Sequence, residues 1–287
     1  MKHAESLIGL RHRADVRAVV VVLLTLATLA YGWLESVRSP WFLLAAGVGT
    51  FTVNVINHNH QHVPVFVGRW PNAIFGAWIA LATGQPAKAI VPIHVANHHV
   101  HTNDDRDPAN TRQMRWRWNA LNLLLYPVRC AKNFRRVKRV EFSRWGDAHP
   151  RAHRQLVLER WVLYPALGVL CLVAPLDTLV NVGLPWLAGQ WAIIAMNLLQ
   201  HDGCDAASPW NHSRNFVSPY LNWWFFNAGY HTAHHRFPGA HWTRLRDLDH
   251  ELAPRMHPRL RSTSLVRTLV RFYVWPARRA QVTDLHS

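Results

Sequence analysis

The chain has 287 residues, 49% of them hydrophobic, and its 32 Lys and Arg outnumber its 16 Asp and Glu, which gives a formal net charge of +16. In a soluble protein such a charge would indicate a nucleic-acid partner. Here the basic residues lie between long uncharged apolar runs, with 14 of them at positions 106–160 and 11 at 214–279. Because Lys and Arg concentrate in the cytoplasmic loops of membrane proteins, the composition favours an integral membrane protein and argues against a nucleic-acid partner.

Four apolar runs predict membrane-spanning helices arranged in two hairpins. The runs are residues 16–37 and 41–56 in the first hairpin, and 161–174 and 178–199 in the second. A span needs about 20 apolar residues, so the shorter runs must tilt or extend into their flanks. Because two hairpins return the chain to its starting side, the N-terminus, the region 58–160 and everything after His201 should share one face of the membrane.

Three further segments are too weakly apolar to be predicted as spans. Residues 73–91 are interrupted by Gly84, Gln85 and Pro86, which favours a re-entrant or interfacial helix over a fifth span. Segments 116–126 and 264–275 combine Arg with Trp, Phe and Tyr, a composition typical of helices that lie in the headgroup plane.

The sequence therefore predicts an all-α integral membrane protein with four transmembrane helices and additional interfacial helices. We expect a single domain over residues 1–287, with a core at about 16–245 and a cytoplasmic or interfacial tail at 246–287. The positive charge places the termini and the basic face in the cytoplasm, and we expect the membrane to be the bacterial inner membrane.

Nine histidines form three clusters on the predicted cytoplasmic face, and a tenth lies apart from them. Residues three or four apart share one face of a helix, so each cluster should aim two or three imidazoles at a common point. Zinc is satisfied by four ligands, so this number indicates two closely spaced metals, and imidazole suits iron, zinc or copper. The clustered residues are His58, His60 and His62 in HNHQH, His94, His98 and His99 in HVANHH, and His231, His234 and His235 in HTAHH, with His201 as the outlier in NLLQHDG. His60 lies only two residues from its neighbours and points away on a regular helix, so we interpret it as a supporting residue and the other nine as ligands.

Two interpretations without a catalytic metal fit the sequence less well than a metal centre. A single cluster could be a surface patch or a pH-sensitive site, but three clusters on one predicted face favour a metal centre. A membrane metal-binding or transport protein would carry ionisable residues inside its spans, whereas the predicted spans are nearly free of them.

The order HxxxH, HxxxHH and HxxHH resembles the membrane fatty acid desaturase superfamily. The resemblance extends to NLLQHDG, where His201 matches an additional ligand and Asn197 matches an Asn that contacts metal-bound water. It also includes the stretch around the third cluster, NFVSPYLNWWFFNAGYHTAHHRFPGAHWTRL. In all it covers residues of about 16–245.

The resemblance implies two irons that activate O₂ and oxidise an unactivated C–H bond of a fatty acyl chain or membrane lipid. The implied ligands are His58, His62, His94, His98, His99, His201, His231, His234 and His235, with no catalytic residue separate from them. Asn197, His60 and Asp202 are candidates for contacts to bound water or to the ligands, and Asn227 and Tyr230 for the substrate channel. Asp104, Asp105 and Asp107 fit a solvated turn somewhat better than acceptors for ligand N–H groups. His101, His149, His153, His212 and His241 are interpreted as loop or interfacial residues.

Desaturation is the favoured reaction because the surroundings of the third cluster resemble acyl desaturases. Fatty acid or alkane hydroxylation, terminal-alkene-forming decarboxylation, and carotenoid ketolation or hydroxylation remain alternatives, since these enzymes share the same histidine pattern.

Desaturation with O₂ needs two electrons beyond those taken from the substrate. The sequence shows no Gly-rich dinucleotide fold and no cysteine cluster for iron–sulfur binding, so we expect an external donor of the ferredoxin and ferredoxin reductase kind. Small acidic carriers suit a basic face, although arginines beside membrane helices also bind anionic lipid. The densest basic patch, our candidate docking site, is Arg135, Arg136, Lys138 and Arg139.

Overall fold

A computed structural model describes residues 9–113 and 119–274, without the side chains of 136 and 138–144. The protein is 75% helical and nearly all-α. Two compact units are evident from the packing of the chain, one containing 9–91 and 143–193, the other 92–142 and 194–274. The expectation of a single domain stays a prediction.

Helices account for nearly all the regular structure. The longer ones are α1 (Val16–Leu34), α2 (Pro40–His62), α3 (Arg69–Thr83), α5 (Asn119–Ala148), α6 (Pro150–Val173) and α8 (Leu184–His201). The shorter ones are α4 (His99–His101), α7 (Pro175–Asp177), α9 (Pro219–Trp224), α10 (His231–Arg236), α11 (Leu245–Leu252) and α12 (Leu265–Leu269). The segments Val91–His98, Thr178–Gly183 and Val270–Val274 are π-helical.

The prediction of four membrane-spanning helices is confirmed by length and composition. The candidate spans are Arg13–Leu34, Pro40–His62, Pro150–Val173 and Pro175–His201. The two that most exceed their predicted lengths are α2, which continues through the first histidine cluster, and α6, which begins eleven residues before Trp161, at Pro150. Hydropathy missed these turns because Gln and Arg are good helix formers although they are not apolar.

Helices α1, α2, α3 and α6 pack together in the first unit. Its core contains Leu29, Ala46, Leu163, Val182 and Trp186. The turns at the ends of α1 and α6 also lie together, because Arg38 Nη2 donates a hydrogen bond to Asp177 Oδ1 over 2.6 Å. The two predicted connections between spans thus contact each other.

A sharp bend follows α3, at the interruption that the sequence predicts. Gly84 ends α3 in the left-handed conformation (φ 71°, ψ 17°), and α3 and the helical segment Ala87–His101 are inclined by 82°. Such a pair is either a broken span or a re-entrant loop. The bend is fixed by Trp186, whose Nε1 donates to Leu81 O over 3.1 Å.

The second unit has its own core, built around Tyr126, Leu198, Phe216 and Tyr273. A short parallel pair, β1 (Asn215–Phe216) and β2 (Arg261–Ser262), joins the segment before α9 to the segment before α12. The predicted interfacial helix at 264–275 is α12 with the π-helical turn that follows it; Trp275 lies outside the described residues. Residues 116–118 of the other predicted interfacial segment are likewise outside them, and its remainder begins α5.

We predict that Gly84→Ala destabilises the protein. A Cβ at this position would lie 2.8 Å from Trp186 Cγ, and a left-handed alanine costs about 1–2 kcal/mol by itself. The thermal unfolding midpoint in detergent should fall by several degrees. Gly168→Ala, in α6 with nothing within 4 Å of the new Cβ, is the control and should leave the midpoint unchanged or raise it. Equal midpoints for the two variants would contradict the prediction.

Candidate metal centre

The second histidine cluster lies on a π-helical segment, Val91–His98, that continues into α4. Hydrogen bonds from i to i+5 bring residues five apart onto one side, so His94 Nε2 and His99 Nε2 are 3.0 Å apart. The cluster therefore directs two of its three imidazoles to one point, and His98 belongs to the other group of ligand atoms. The pairing differs from the one that α-helical spacing suggests, in which residues four apart such as His94 and His98 share a face.

The third cluster is divided in the same way by the short helix α10. His231 and His235 are one turn apart, with their Nε2 atoms separated by 3.1 Å. His234 is directed elsewhere, and its Nε2 lies 3.1 Å from His99 Nε2. Neighbouring residues of one cluster therefore serve different groups.

Two histidine groups result in the second unit. The first histidine group is His94, His99 and His234, and the second histidine group is His98, His201, His231 and His235; within each, the ligand nitrogens lie within 4.8 Å of one another. His201 ends α8, is fully buried, and has its Nε2 2.9 Å from His231 Nε2. In the first unit, His58 and His62 lie one turn apart at the end of α2, with ring centroids 5.2 Å apart.

Hydrogen bonds fix the orientation of two rings in the second histidine group. His98 Nδ1 lies 2.6 Å from Asp107 Oδ2, and His201 Nδ1 lies 2.9 Å from the carbonyl oxygen of His212. These oxygens accept the Nδ1 proton, so the Nε2 lone pair of each ring points into the group, as in histidine metal ligands. His98 Nε2 is buried with no hydrogen-bond partner within the described residues.

The positions of the nitrogen atoms suit shared metal ions. Two lone pairs facing each other repel, and leaving a buried polar atom unsatisfied costs about 1–3 kcal/mol. Two imidazole ligands at right angles on a metal with bonds near 2.1 Å would have nitrogens about 3.0 Å apart. The observed Nε2–Nε2 separations of 2.9–3.1 Å agree with this spacing.

Burial keeps the surrounding rings neutral, which is the form that binds metal. The pKa of His235 lies well below its ordinary value because the ring is desolvated and because other histidines surround it. Burial likewise lowers the pKa of His212, whose ring centroid is 5.3 Å from that of His235.

Asp107 corrects the interpretation of the acidic turn. Asp104 and Asp105 pair with Arg106 and Arg112 at the surface, as a solvated turn requires. Asp107 is 2% exposed and also accepts hydrogen bonds from the backbone of Asn103 and Ala109. Burial alone would raise the pKa of this carboxyl, but the interaction with His98 and these hydrogen bonds outweigh burial and lower it.

Three other predicted site residues are held by contacts of their own. His60 Nδ1 accepts a hydrogen bond from Val65 N, and its ring packs edge-on against Phe75. Asn197 Nδ2 donates to Ala109 O and to Tyr126 Oη, over 3.2 and 2.7 Å. Asp202 Oδ2 accepts from Tyr273 Oη over 3.0 Å. The roles predicted for these residues beside the ligands stay predictions.

The predicted channel residues make contacts of their own. Asn227 has φ 59° and donates to Trp242 O, while Tyr230 is 4% exposed and packs in an apolar cluster with Leu245 and Met256. Arg135 is exposed on α5. The side chains of Arg136, Lys138 and Arg139 lie outside the described residues.

Sequence reasoning missed the two residues that contact the second histidine group from loops. Asp107 follows His98 by nine positions and His212 follows His201 by eleven. Neither spacing is a helical repeat, so only the folded loops bring these residues to the ligands.

We predict that Asp107→Asn weakens metal binding by about 10- to 100-fold, the usual effect of removing a partner of a ligand histidine. An amide can donate to His98 Nδ1, which moves the ring proton to Nε2 and blocks that nitrogen. The measurement is metal per chain after dialysis against graded chelator. Asp105→Asn, at a carboxylate whose side chain is 87% exposed, should behave as wild type; equal retention in both variants would refute the role of Asp107.

The comparison with known protein families agrees with the clustered histidines. The family model described as fatty acid desaturase matches residues 36–263, which is more than half of the chain and includes both histidine groups, His58 and His62. No curated protein matches the chain. On the family match, the chain belongs to the membrane fatty acid desaturase family.

Proposed function

We propose that this protein is an O₂-dependent di-iron enzyme that introduces a double bond into a fatty acyl chain within a membrane. Family membership and the clustered histidines support an oxidoreductase of fatty chains with a bound metal. The observation that carries the proposal is the pair of adjacent histidine groups, in each of which the ligand nitrogens lie within 4.8 Å of one another.

Two metals are proposed because the groups are distinct yet adjacent. His99 Nε2 contacts the nitrogens of His94 and His234, while its ring stacks on that of His235 with centroids 4.4 Å apart. In the proposal, His58 and His62 complete the ligand set of the first histidine group. That assignment is supported by the order of the three histidine clusters in the sequence. It is also supported by the position of His58 and His62 one turn apart on α2, which lets both imidazoles face the same way.

The bound irons would supply O₂ activation and removal of hydrogen from the acyl chain. The protein's part is to orient the ligands and to exclude water. Asp107 and the His212 carbonyl set the tautomers of His98 and His201, and those two rings are 1% and 0% exposed. A dry site of this kind protects a reactive oxidant from side reactions.

An acyl substrate is supported by the apolar surface of the candidate spans. Leu24, Leu172 and Leu187 are 62%, 87% and 61% exposed, and side chains like these suit contact with lipid tails. We propose a bacterial inner membrane with the termini and the metal centre on the cytoplasmic side, because the basic segments flank the spans. Desaturation is preferred to hydroxylation, decarboxylation and carotenoid oxidation on the sequence around the third cluster.

We predict about two irons per chain in protein prepared anaerobically, and a new unsaturated fatty acid in cells that express it. His235→Ala removes a ligand of the second histidine group, so both iron content and product should fall to background. His149→Ala, at an exposed residue before α6, should retain both. Gas chromatography with mass spectrometry separates the outcomes: a hydroxylated acid, a terminal alkene or an oxidised carotenoid would replace desaturation. Normal iron and product in His235→Ala would reject the metal assignment.

We predict that electrons come from a separate ferredoxin-like carrier on the cytoplasmic side. Reduced ferredoxin with its reductase should support turnover in inverted membrane vesicles but not in right-side-out vesicles. Arg135→Glu should slow that turnover at low salt, because an exposed cation that steers an acidic carrier is replaced by an anion, and should leave iron content unchanged.

The matched control is Arg259→Glu, at an exposed arginine elsewhere in the second unit. An equal effect of both reversals would indicate general charge repulsion rather than docking. Turnover with NAD(P)H and O₂ alone would show that no carrier is needed, and activity confined to right-side-out vesicles would reverse the proposed orientation.

A further inference from the structure

His212 lies beside the second histidine group without belonging to the family pattern of ligands. The residue is 8% exposed, and its ring is 5.3 Å from that of His235, centroid to centroid. Its Nε2 is buried and has no hydrogen-bond partner in the part of the chain that the structure describes. Buried polar atoms are nearly always satisfied, and an exception commonly indicates a water or ion at the site.

The tautomer of His212 follows from its other nitrogen. Nδ1 lies 3.2 Å from the carbonyl oxygen of Ser208, and a carbonyl only accepts, so Nδ1 carries the proton. The neutral ring then has a lone pair on Nε2. His201 is arranged in the same way, with Nδ1 donating to a backbone carbonyl and Nε2 directed into the group.

The position of the ring is fixed by the loop that carries it. The His212 carbonyl accepts from His201 Nδ1, and Ser213 Oγ lies 2.8 Å from Thr232 Oγ1 in α10. Arg214 N donates to Gln200 O over 2.6 Å. Residues 212–214 are thus tied to the end of α8 and to α10, the helices that supply three of the four ligands in the second histidine group.

We propose that His212 is a positioning residue whose Nε2 accepts a hydrogen bond from the water that completes the coordination of the metal in the second histidine group. Four imidazoles leave iron with open positions for solvent or O₂. Direct ligation is disfavoured because the nitrogens of His212 are not among those that meet within 4.8 Å. The inference rests on the proposed metal centre but not on the identity of the substrate.

Two substitutions separate this role from simple packing. Asn in place of His212 can put its amide N–H at the position of Nδ1 and donate to the Ser208 carbonyl, but it has no atom at the position of Nε2. Gln can place an acceptor oxygen near the Nε2 position. A structural role predicts rescue by H212N, whereas the proposed role predicts rescue by H212Q. His250→Gln, at an exposed histidine of α11, is the control.

The probe is azide, titrated into the iron-loaded, oxidised protein without acyl substrate and followed by optical absorption. Azide displaces bound water and offers no proton to Nε2, so loss of His212 should favour it. We expect H212N to retain about two irons and to bind azide up to about tenfold more tightly, the effect of one hydrogen bond. H212Q and the control should remain near wild type.

Wild-type azide affinity in H212N would overturn the proposal. Iron falling to about one per chain in that variant would also overturn it, by showing direct ligation instead. The azide titration uses no acyl substrate, so its result does not depend on the reaction that the protein catalyses. A protein that binds two irons but fails to desaturate would contradict the proposed function, while the azide titration would still test the role of His212.

Discussion

The second unit is organised around one constraint: the ring nitrogens of seven histidines meet in two groups, in each of which a cation could be shared. Two of these rings are oriented from behind, because Asp107 accepts the Nδ1 proton of His98 and the His212 carbonyl accepts that of His201. The loop residues around the site contribute by fixing tautomers rather than by reacting. They direct the Nε2 lone pairs of His98 and His201 into the second histidine group.

The π-helical segment Val91–His98 explains how a short stretch of chain serves two ligand groups. On a regular α-helix, residues 94 and 98 would share a face, and residue 99 would point in a different direction from both. Wider turns instead pair His94 with His99 and leave His98 for the neighbouring group. Local backbone irregularity, not an unusual residue, creates the arrangement.

The spans, the break at 84–86 and the family could be predicted from the sequence because each is a local signal: apolar length, Gly and Pro, or histidine spacing. The division of the clusters could not, because it depends on whether residues 91–98 wind as an α- or a π-helix, and their spacing suits both. Asp107 and His212 were misassigned for a different reason. Asp107 contacts His98 and the His212 carbonyl contacts His201 only because loops fold back on these ligands. The sequence of an acidic turn or of a loop histidine does not reveal such a contact. The start of α6 at Pro150 was missed because its first turns are polar.

The alternation of neighbouring residues between the two groups has a consequence for metal loading. His98 and His99 are adjacent in sequence but belong to different groups, and so are His234 and His235. Ordering the backbone for one group therefore also orders ligands of the other, so the conformational free-energy cost of ordering applies only to the first ion. If two ions bind as proposed, binding of the first would lower the cost of binding the second, which is positive cooperativity in the thermodynamic sense. A population of such protein given too little iron should divide into empty and fully loaded molecules, with few that hold a single ion.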